Sequence, residues 1–401
     1  MARFRRPPLA TAGAALPHEK QLGLFERLES AAKSIETEDP APLAQRLFLI
    51  VLALLGLGLV MQVNHAATTQ SSEGFWGLFS GQLFFRIAAV VAMILGYRIG
   101  PQGLRRHIPA LTVIAFVALV LVFVPGFAAT KNGASRWIEL PFVGLSFQPS
   151  ELARIVLILW VADRCIRLGP DVLDMRRGVL PMLGVGFLFF FLILVETDLG
   201  GSLLFLVCFV STLWMGGADL AKVAGPVAGI GGTAVLIVVS FVGYIRQRMA
   251  MWLGPVTNHQ VERSSDAIAS GDLFGEGLGQ GLYRNARVPY LETDYVFALV
   301  GEELGLFGML LLLGLFLAFT WTALRFVLSI KDRYAALCAF GLFLSVCVQA
   351  MVHMQVVTRL APPKGMPLPF ISHGGTALVV SSLAVGLALG ASRSWPDTSS
   401  R

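Results

Sequence analysis

Long stretches without a single acidic or basic side chain are the feature that most restricts how this chain can fold. A membrane span needs about 20 mainly apolar residues, and stretches of this length or slightly less recur along the chain. Together with two apolar stretches that carry a few charges, they predict ten spans: residues 47–63, 77–97, 107–130, 148–168, 178–195, 199–218, 223–245, 304–324, 334–358 and 365–392. Only 14% of the residues are charged, against about 25% in a typical soluble domain. We therefore expect an all-α polytopic membrane protein.

The placement of lysine and arginine predicts how the chain is oriented. An even number of spans puts both termini on one side of the membrane. A cytoplasmic amino terminus then leaves most basic residues of the short connections on the cytoplasmic side, as the positive-inside rule requires. This orientation makes residues 1–44 and 394–401 cytoplasmic tails and residues 45–393 the membrane domain. It also places a long connection, about residues 244–293, outside the membrane between spans seven and eight.

Composition and local sequence exclude several classes of function. The net charge is +6, but the basic residues lie between apolar stretches and form no interleaved basic and aromatic run, so we expect no nucleic-acid partner. The four cysteines all lie in apolar stretches and predict neither a disulfide framework nor a zinc site. The glycine-rich segment 271–281 lacks the Lys-Ser/Thr of a nucleotide-binding P-loop. We interpret it as backbone that bends closely over a site.

Polar side chains within or beside spans are the candidate functional residues, because a charge at the centre of a span costs about 2.5–3.5 kcal/mol. Most cluster toward the predicted outer face: Lys131, Arg136, Glu151, Arg154, Glu196, Asp198, Asp294, Glu302, Glu303, His353, Arg359, Lys364 and His373. They predict one polar surface that dips into the bilayer from outside. Structural roles stay open for several of them. Glu151 and Arg154 are spaced to pair on one helical face, Asp198 is placed to cap a helix, and either Glu302 or Glu303 is able to pair while the other faces a cavity.

Five motifs in a fixed order carry a resemblance to a known family. Residues 132–151 read NGASRWIELPFVGLSFQPSE. The other four are Asp198-Leu199-Gly200, Ala267-Ile268, VPYLETDYVFALVGEELGLFG at 288–308 and GMPLPFISHGG at 365–375. From about residue 45 to 393, the motifs and the ten predicted spans resemble those of the SEDS proteins, the RodA, FtsW and SpoVE group that serves bacterial shape, division and sporulation.

The resemblance implies a peptidoglycan glycosyltransferase of the bacterial cytoplasmic membrane. Such an enzyme polymerises lipid II into glycan strands at the outer face, for cell division or cell-shape maintenance. The implied partners are lipid II, the growing strand, a class B penicillin-binding protein transpeptidase and membrane lipids. The family's catalytic acid/base Asp corresponds to Asp294, in the sequence Thr-Asp-Tyr. The resemblance also points to Arg136, Glu151 with Arg154, and Lys364 as substrate-binding residues.

The chain departs from the family pattern at six positions. Two are the substrate-binding candidates Arg154, where Lys is commoner, and Lys364, where Thr is commoner. The usual Leu-Pro-Glu-x-His-Thr-Asp reads Val-Pro-Tyr-Leu-Glu-Thr-Asp, which puts Tyr290 in place of the Glu and Glu292 in place of the His. An Asn in span nine is His353, and the Tyr before Gly-Gly is His373, which we also count as substrate-binding. The Asp is retained, so these changes bear on substrate detail and on the level of activity.

The required chemistry supports the same residues. Sugar transfer from a polyprenyl diphosphate needs a base near the attacking hydroxyl and positive charge near the departing diphosphate. Asp294, at the junction of a polar loop and an apolar helix, is placed to act as that base. The cations expected at the diphosphate are Arg136, Arg246, Arg248, Arg359 and Lys364. The sequence fixes no cofactor; a divalent cation, Mg or Mn, is an open expectation without assigned ligands.

Two other classes of function stay open. A flippase or transporter of lipid-linked precursors would also have about ten spans and buried charges, but its ionisable residues should lie near the bilayer midplane and at both mouths. A non-catalytic scaffold of a cell-wall synthesis complex would need no base, and the altered residues beside Asp294 are compatible with it. The crowding of charges toward the outer half favours the enzyme.

Overall fold

The computed structural model describes residues 39–69, 72–125, 127–131, 134–139, 146–254, 259–285 and 293–393. Its α-helices are α1 (Pro40–Thr69), α2 (Ser72–Arg105), α3 (Ile108–Leu121), α4 (Pro149–Leu168), α5 (Leu180–Val195), α6 (Leu199–Met215), α7 (Leu220–Pro226), α8 (Gly232–Phe241), α9 (Gly243–Leu253), α10 (His259–Ser270), α11 (Leu282–Asn285), α12 (Val296–Ser329), α13 (Arg333–Val357) and α14 (Gly375–Leu389). Short 3-10 or π turns adjoin some of them: Gly169–Leu173, Met175–Val179, Val227–Gly231 and Gly390–Ser392.

Most of each predicted tail lies outside the described residues, namely residues 1–38 and 394–401. Helix α1 begins at Pro40, before the predicted boundary at residue 44, and the boundary stays a prediction. The first turn of α1 follows Asp39, whose carboxylate accepts a hydrogen bond from the Ala41 amide at 3.0 Å.

Among the described residues, seven helices are long and apolar enough to cross a membrane: Pro40–Asn64, Gly74–Arg105, Met175–Val195, Leu220–Phe241, Val296–Ser329, Arg333–Val357 and Gly375–Ser392. The remaining predicted spans correspond to α3 and α6, which are apolar but shorter, and to α4, which carries several charges. The all-α polytopic fold class is confirmed. The count of ten spans stays a prediction.

A small sheet replaces the outer end of predicted span 107–130. Helix α3 ends at Leu121, and the chain then forms an antiparallel sheet of β1 (Ala128–Lys131), β2 (Ala134–Glu139) and β3 (Ser146–Phe147). Absence of charge could not locate this boundary, because an uncharged segment satisfies its backbone groups as well by strand pairing as by a helix. The sheet leads directly into α4.

Helix α4 shows how a span with several charges is accommodated. Its residues from Ile155 to Asp163 are all buried, because α3, α5, α6 and α13 pack around it. At its carboxyl end Asp163 is paired with Arg105 at 2.8 Å and with Arg167 at 2.6 Å. The buried carboxylate of Asp163 therefore meets protein cations and not lipid.

Two outer helix starts differ from prediction. Span eight was expected to begin at residue 304, but α12 begins at Val296 and is interrupted at Gly305, where φ is 65° and ψ is −164°. Glu302 and Glu303 thus lie buried within the helix, just before the break. Span ten is helical only from Gly375. Residues 358–374, here called the outer segment, connect α13 to α14 without regular structure.

Candidate active site

A buried ion pair joins the start of α6 to the outer segment. Lys364 Nζ lies 3.1 Å from Asp198 Oδ1, and the two side chains are 17% and 7% exposed. Asp198 also accepts hydrogen bonds from the Gly201 amide at 2.8 Å and from Gln148 Nε2 at 3.2 Å, so it caps α6. A Cβ at Gly200 would overlap the Lys364 side chain. The Asp-Leu-Gly-Gly sequence is therefore required by the close approach of the lysine as well as by the helix start.

Opposing effects set the charge of this pair. Burial alone would raise the pKa of Asp198, but Lys364, Arg136 and the Gly201 amide outweigh burial and lower the pKa to about 2. Burial lowers the pKa of Lys364, and Asp198 opposes that change. Asp198 is thus an anion at neutral pH, held in place by a cation on a different segment.

Strand β2 and the turn after α5 hold Arg136 at the same place. Its Nε donates to the Glu196 carbonyl at 3.2 Å, and a terminal nitrogen donates to the Thr197 carbonyl at 2.7 Å. Thr197 has φ 62°, which is costly for a β-branched residue. The strained turn presents two carbonyls to one guanidinium and so fixes its direction.

Glu196 is a buried carboxyl group beside this turn. Its side chain is 2% exposed, and neither carboxyl oxygen has a hydrogen-bond partner within the described residues. Burial and the nearby charge of Asp198 raise the pKa of Glu196 from 4.5 to about 9, although Arg136 acts against them. The folded protein therefore favours the neutral acid.

We expect the stability of the protein to fall as the pH rises from about 5 to 8. The neutral form of Glu196 contributes its full stabilisation below the unfolded pKa of 4.5, and this is lost as the pH approaches 9. Thermal unfolding in detergent should show a decrease of roughly 5 °C over this range. The Glu196→Gln variant should remove most of that slope, whereas Glu139→Gln, at an exposed carboxylate of β2, should keep it. An unaltered slope in Glu196→Gln would contradict the assignment.

Asp294 lies immediately before α12 and against the outer segment. The Thr293 carbonyl accepts a hydrogen bond from Ser372 Oγ at 2.6 Å. A Cβ at Gly365 would lie 2.5 Å from Asp294 Oδ2, so the carboxylate lies directly over the Gly365 backbone. The candidate base is thereby brought beside Lys364, although the two residues are far apart in sequence.

Two cavities meet at the Lys364–Asp198 pair. The larger has a volume of about 270 Å³, and its polar end contains Arg136, Arg248 and the pair itself. Its other walls are apolar side chains of α6, α9 and α13: Leu203, Leu204, Val207, Ile245, Met249, Val348, Val352 and Val356. The smaller cavity, about 50 Å³, is bordered by mostly polar residues: Gln148, Ser150, Glu151, Arg154, Gln349 and Gly365. Because both cavities include Asp198 and Lys364, the ion pair separates an amphipathic space from a polar one.

Glu151 and Arg154 do not form the ion pair that their spacing allows. Arg154 instead donates to Gln349 Oε1 at 3.0 Å, and Gln349 Nε2 donates to the Pro367 carbonyl at 3.0 Å. Within the described residues, Glu151 Oε2 and Arg154 Nε have no hydrogen-bond partner. Both residues border the smaller cavity, so these atoms are available to water or to a polar ligand.

Helix α9 carries two predicted diphosphate ligands, and only one reaches the larger cavity. Arg248 borders it and donates to the Pro363 carbonyl at 3.2 Å. Arg246 is exposed and borders neither cavity, because residues two apart on a helix face different directions. Arg359 is also exposed and outside both cavities; its carbonyl accepts from Trp252 Nε1 at 3.2 Å. The structure thus does not place Arg246 and Arg359 at the site.

The histidines that replace family residues bind to protein groups around the outer segment. His353 is buried, and its Nδ1 donates to the Met366 carbonyl at 2.6 Å. His373 borders neither cavity; its Nδ1 is hydrogen-bonded to Gln82 Nε2. Because Gln82 Oε1 accepts from Arg86, the amide nitrogen faces His373, and Nδ1 is the acceptor. Both histidines help to hold the outer segment, and the substrate contact of His373 stays a prediction.

The described residues do not form a ready site for a divalent cation. No three His, Cys, Asp or Glu side chains in this part of the chain lie close enough together to bind one, and Asp198 is already paired with Lys364. Tyr290 and Glu292 lie outside the described residues. Positive charge at the cavities therefore comes from arginine and lysine side chains, and a metal requirement stays a prediction.

Neutral amides of the site were not among the residues predicted from the sequence. Gln148, Gln349 and Gln82 hold Asp198, Arg154 and His373 by the hydrogen bonds described above. A search for charged residues passes over them. The available signal was an uncharged but polar side chain inside an apolar span, which also requires a hydrogen-bond partner there.

Known proteins resemble this chain over most of its length. Residues 45–395 match the family model FtsW/RodA/SpoVE, described as cell cycle protein. The chain is 32% identical over 354 residues to a probable peptidoglycan glycosyltransferase FtsW of Trichlorobacter lovleyi, covering 86% of this chain and 91% of the relative. It is 33% identical over 356 residues to the stage V sporulation protein E of Bacillus subtilis, covering 86% and 96%.

Solved structures share the fold. The rod shape determining protein RodA of Thermus thermophilus superposes with a TM-score of 0.64 at 23% identity, covering 86% of this chain and 95% of that chain. A chain from a peptidoglycan synthase complex, studied for the coordination of polymerization and crosslinking, superposes with a TM-score of 0.69 at 23% identity, covering 86% and 95%. With most of its length matched to the family model, this chain belongs to the FtsW, RodA and SpoVE family of cell cycle proteins.

Proposed function

We propose that this chain polymerises lipid II into glycan strands at the outer face of the cytoplasmic membrane, with Asp294 as the base. It is a peptidoglycan glycosyltransferase of the family that serves cell division and cell shape. The observation that carries the residue assignment is the position of the Asp294 carboxylate over Gly365, the residue that follows Lys364. Lys364 borders the amphipathic cavity, whereas Asp294 itself borders neither cavity.

The larger cavity has the two chemical characters of a lipid-linked diphosphate. Its apolar walls fit part of an isoprenoid tail, and Arg136, Arg248 and Lys364 supply positive charge at one end. Lys364 is paired with Asp198 in this structure, so a diphosphate must compete with that carboxylate for the ammonium group. The proposed ligand set thus excludes Arg246 and Arg359 and keeps the three cations that border the cavity.

In the proposed reaction the 4-hydroxyl of the acceptor GlcNAc attacks C1 of the donor MurNAc. The new C1–O bond forms as the bond from C1 to the diphosphate oxygen breaks, and the configuration at C1 inverts. Asp294 takes the hydroxyl proton, while the cations stabilise the negative charge that develops on the diphosphate. The proposed steps use only the chain's own residues, and a divalent cation stays a prediction without assigned ligands.

The smaller cavity lies on the other side of the ion pair. Its volume of about 50 Å³ is sufficient for a few water molecules and too small for a sugar. We therefore propose that Glu151 and Arg154 act by positioning Gln349 and the outer segment, and not by direct contact with the donor sugar.

Location and partnership are proposed on family grounds. We place the chain in the bacterial cytoplasmic membrane, with both termini cytoplasmic and the connection that contains α10 and α11 outside. A class B penicillin-binding protein is the proposed partner, because a structurally similar chain comes from a complex that coordinates polymerization and crosslinking. Lipid II and the growing strand are the proposed substrates.

Polymerisation by the purified protein tests this function. Incubated with lipid II in detergent or nanodiscs, alone and with a class B transpeptidase, the chain should produce glycan strands that are resolved on a gel. A flippase would move lipid II across vesicle membranes without forming polymer, and a scaffold would form no polymer unless its partner polymerised alone. Either result would overturn the proposal.

A further inference from the structure

The break in α12 is closed by the glycine-rich segment of the outer connection. The Leu306 amide donates to the Asp272 carbonyl at 2.9 Å, and the Phe307 amide donates to the Leu273 carbonyl at 3.1 Å. On the other side of the break, the Glu302 carbonyl accepts from the Glu276 amide at 2.9 Å. Backbone groups that the interruption at Gly305 leaves without helical partners are thus satisfied by this segment.

Glycine is required for so close an approach. A Cβ at Gly271 would overlap the Gly301 carbonyl, and one at Gly275 would overlap the Glu303 carbonyl. Gly275 also has φ 81°, a conformation that other residues rarely adopt. The glycine-rich segment is therefore fixed to α12. Its depth relative to the membrane is then the same as that of the break in the helix.

The part of α12 that follows the break has the length of a membrane span. From Gly305 to Arg325 the helix runs about 20 residues, which at about 1.5 Å per residue spans about 30 Å. This length matches the hydrocarbon thickness of a typical bilayer. If Arg325 marks the inner boundary, Leu306 and Phe307 lie at the outer one. The backbone bonds described above then place Leu273 at the same depth.

Exposed apolar side chains continue from the helix onto the glycine-rich segment. Leu306 and Phe307 are 45% and 66% exposed, as expected of a surface that faces lipid. The glycine-rich segment that is bonded to this part of α12 exposes Leu273 at 60% and Phe274 at 81%, and Leu278 at 49% and Leu282 at 69% follow in the chain. None of these four belongs to a predicted span. We call these four residues the apolar patch. A cluster of this kind on the surface of a protein marks an interaction site.

We propose that the apolar patch inserts into the outer leaflet of the bilayer and fixes the height of the first part of α12. The apolar patch continues the lipid-facing side of α12, so lipid is the partner that covers it. Asp272 and Glu276, both exposed in the same segment, limit insertion to the boundary between headgroups and acyl chains. Because Asp294 precedes the first part of α12, the anchor also sets the depth of the carboxylate relative to the lipid headgroups.

Depth-dependent quenching tests the insertion without any assay of activity. In nanodiscs, the additional emission of Phe274→Trp should be quenched more by lipids brominated near the headgroup than by lipids brominated near the chain end. Asp266→Trp, at an exposed position of α10, serves as the control and should be quenched by neither. Equal, negligible quenching of both variants would overturn the proposal. Loss of quenching at position 274 when a purified transpeptidase is added would assign the patch to a protein partner instead.

The functional consequence rests on the proposed role of Asp294 and is tested separately. Phe274→Asp should lower the polymerisation rate several-fold in nanodiscs and leave it unchanged in detergent, where no bilayer fixes the height of the segment. An equal decrease in both media would show damage to the fold and refute the anchor's contribution to activity. The quenching result stands apart from this assay, so failure of the anchor and failure of the catalytic assignment are distinguishable.

Discussion

The Asp294→Asn variant should polymerise lipid II about 10²–10⁴ times more slowly than the wild type, the range that a general base contributes. Asparagine has nearly the same shape as aspartate and retains contact with the Gly365 backbone, but it cannot accept the proton of the attacking hydroxyl. The measurement is the initial rate of glycan-strand formation from purified lipid II. Binding of lipid II should change much less than the rate, because the cavity cations remain.

The contacts around Asp294 allow the effect of its carboxylate to be separated from effects on the fold. The residue lies before α12 and its neighbour Thr293 is tied to Ser372, so a change of the carboxylate alone leaves the backbone contacts in place. Asp266→Asn, on exposed α10, is the matched control and should retain full activity. Near-normal rates in Asp294→Asn and also in Asp294→Ala would remove Asp294 from the mechanism and leave the cavity without an assigned base.

The Lys364→Met variant should lose about 3 kcal/mol of stability, the lower end of the cost of leaving a buried charge without its partner. Asp198 would remain buried, with Arg136 as its nearest cation. Asp198→Asn should also destabilise, because it leaves the buried ammonium group of Lys364 unpaired. The double variant should recover part of this loss, since neither charge is then present. Thermal or denaturant unfolding of the four proteins in one detergent gives the coupling free energy directly.

The pH dependence of this coupling follows from the direction of the pKa changes. The pKa of Asp198 is lowered from 3.8 to about 2 in the folded protein, so its contribution is complete above about pH 4 and is lost as the pH falls toward 2. At neutral pH the coupling should therefore be constant. Additive effects of the two substitutions would show that Lys364 and Asp198 do not interact in solution.

Several properties of this protein follow from local sequence. Apolar stretches without charge predict helices in a membrane, because burial of a charge in lipid is costly and a helix satisfies its own backbone. The same reasoning predicted a polar surface at the outer side, and the motif order identified the family and pointed to Asp294 as the candidate base. Asp198 as a helix cap was also readable, since the cap and its amide partner Gly201 are three residues apart.

Other properties depend on contacts between distant segments. Glu151 and Arg154 have the spacing of an ion pair, yet Arg154 donates its hydrogen bond to Gln349 on α13. Arg246 and Arg248 look equivalent in sequence, and the direction of α9 decides that only Arg248 reaches the cavity. The spacing of residues along a helix limits which side-chain pairs are able to form. Which of these pairs does form depends on the other elements that pack nearby.

The sequence alone therefore determined the class of the protein, its family and its candidate base. Hydropathy and motifs are properties of the local sequence, so they can be read without knowledge of how the helices pack. Tertiary structure decided which cations reach the cavity, that Lys364 pairs with Asp198, and that α12 is broken at Gly305 and closed by a glycine-rich segment. These features arise where segments far apart in sequence satisfy each other's buried charges and backbone groups, and no local pattern encodes that match.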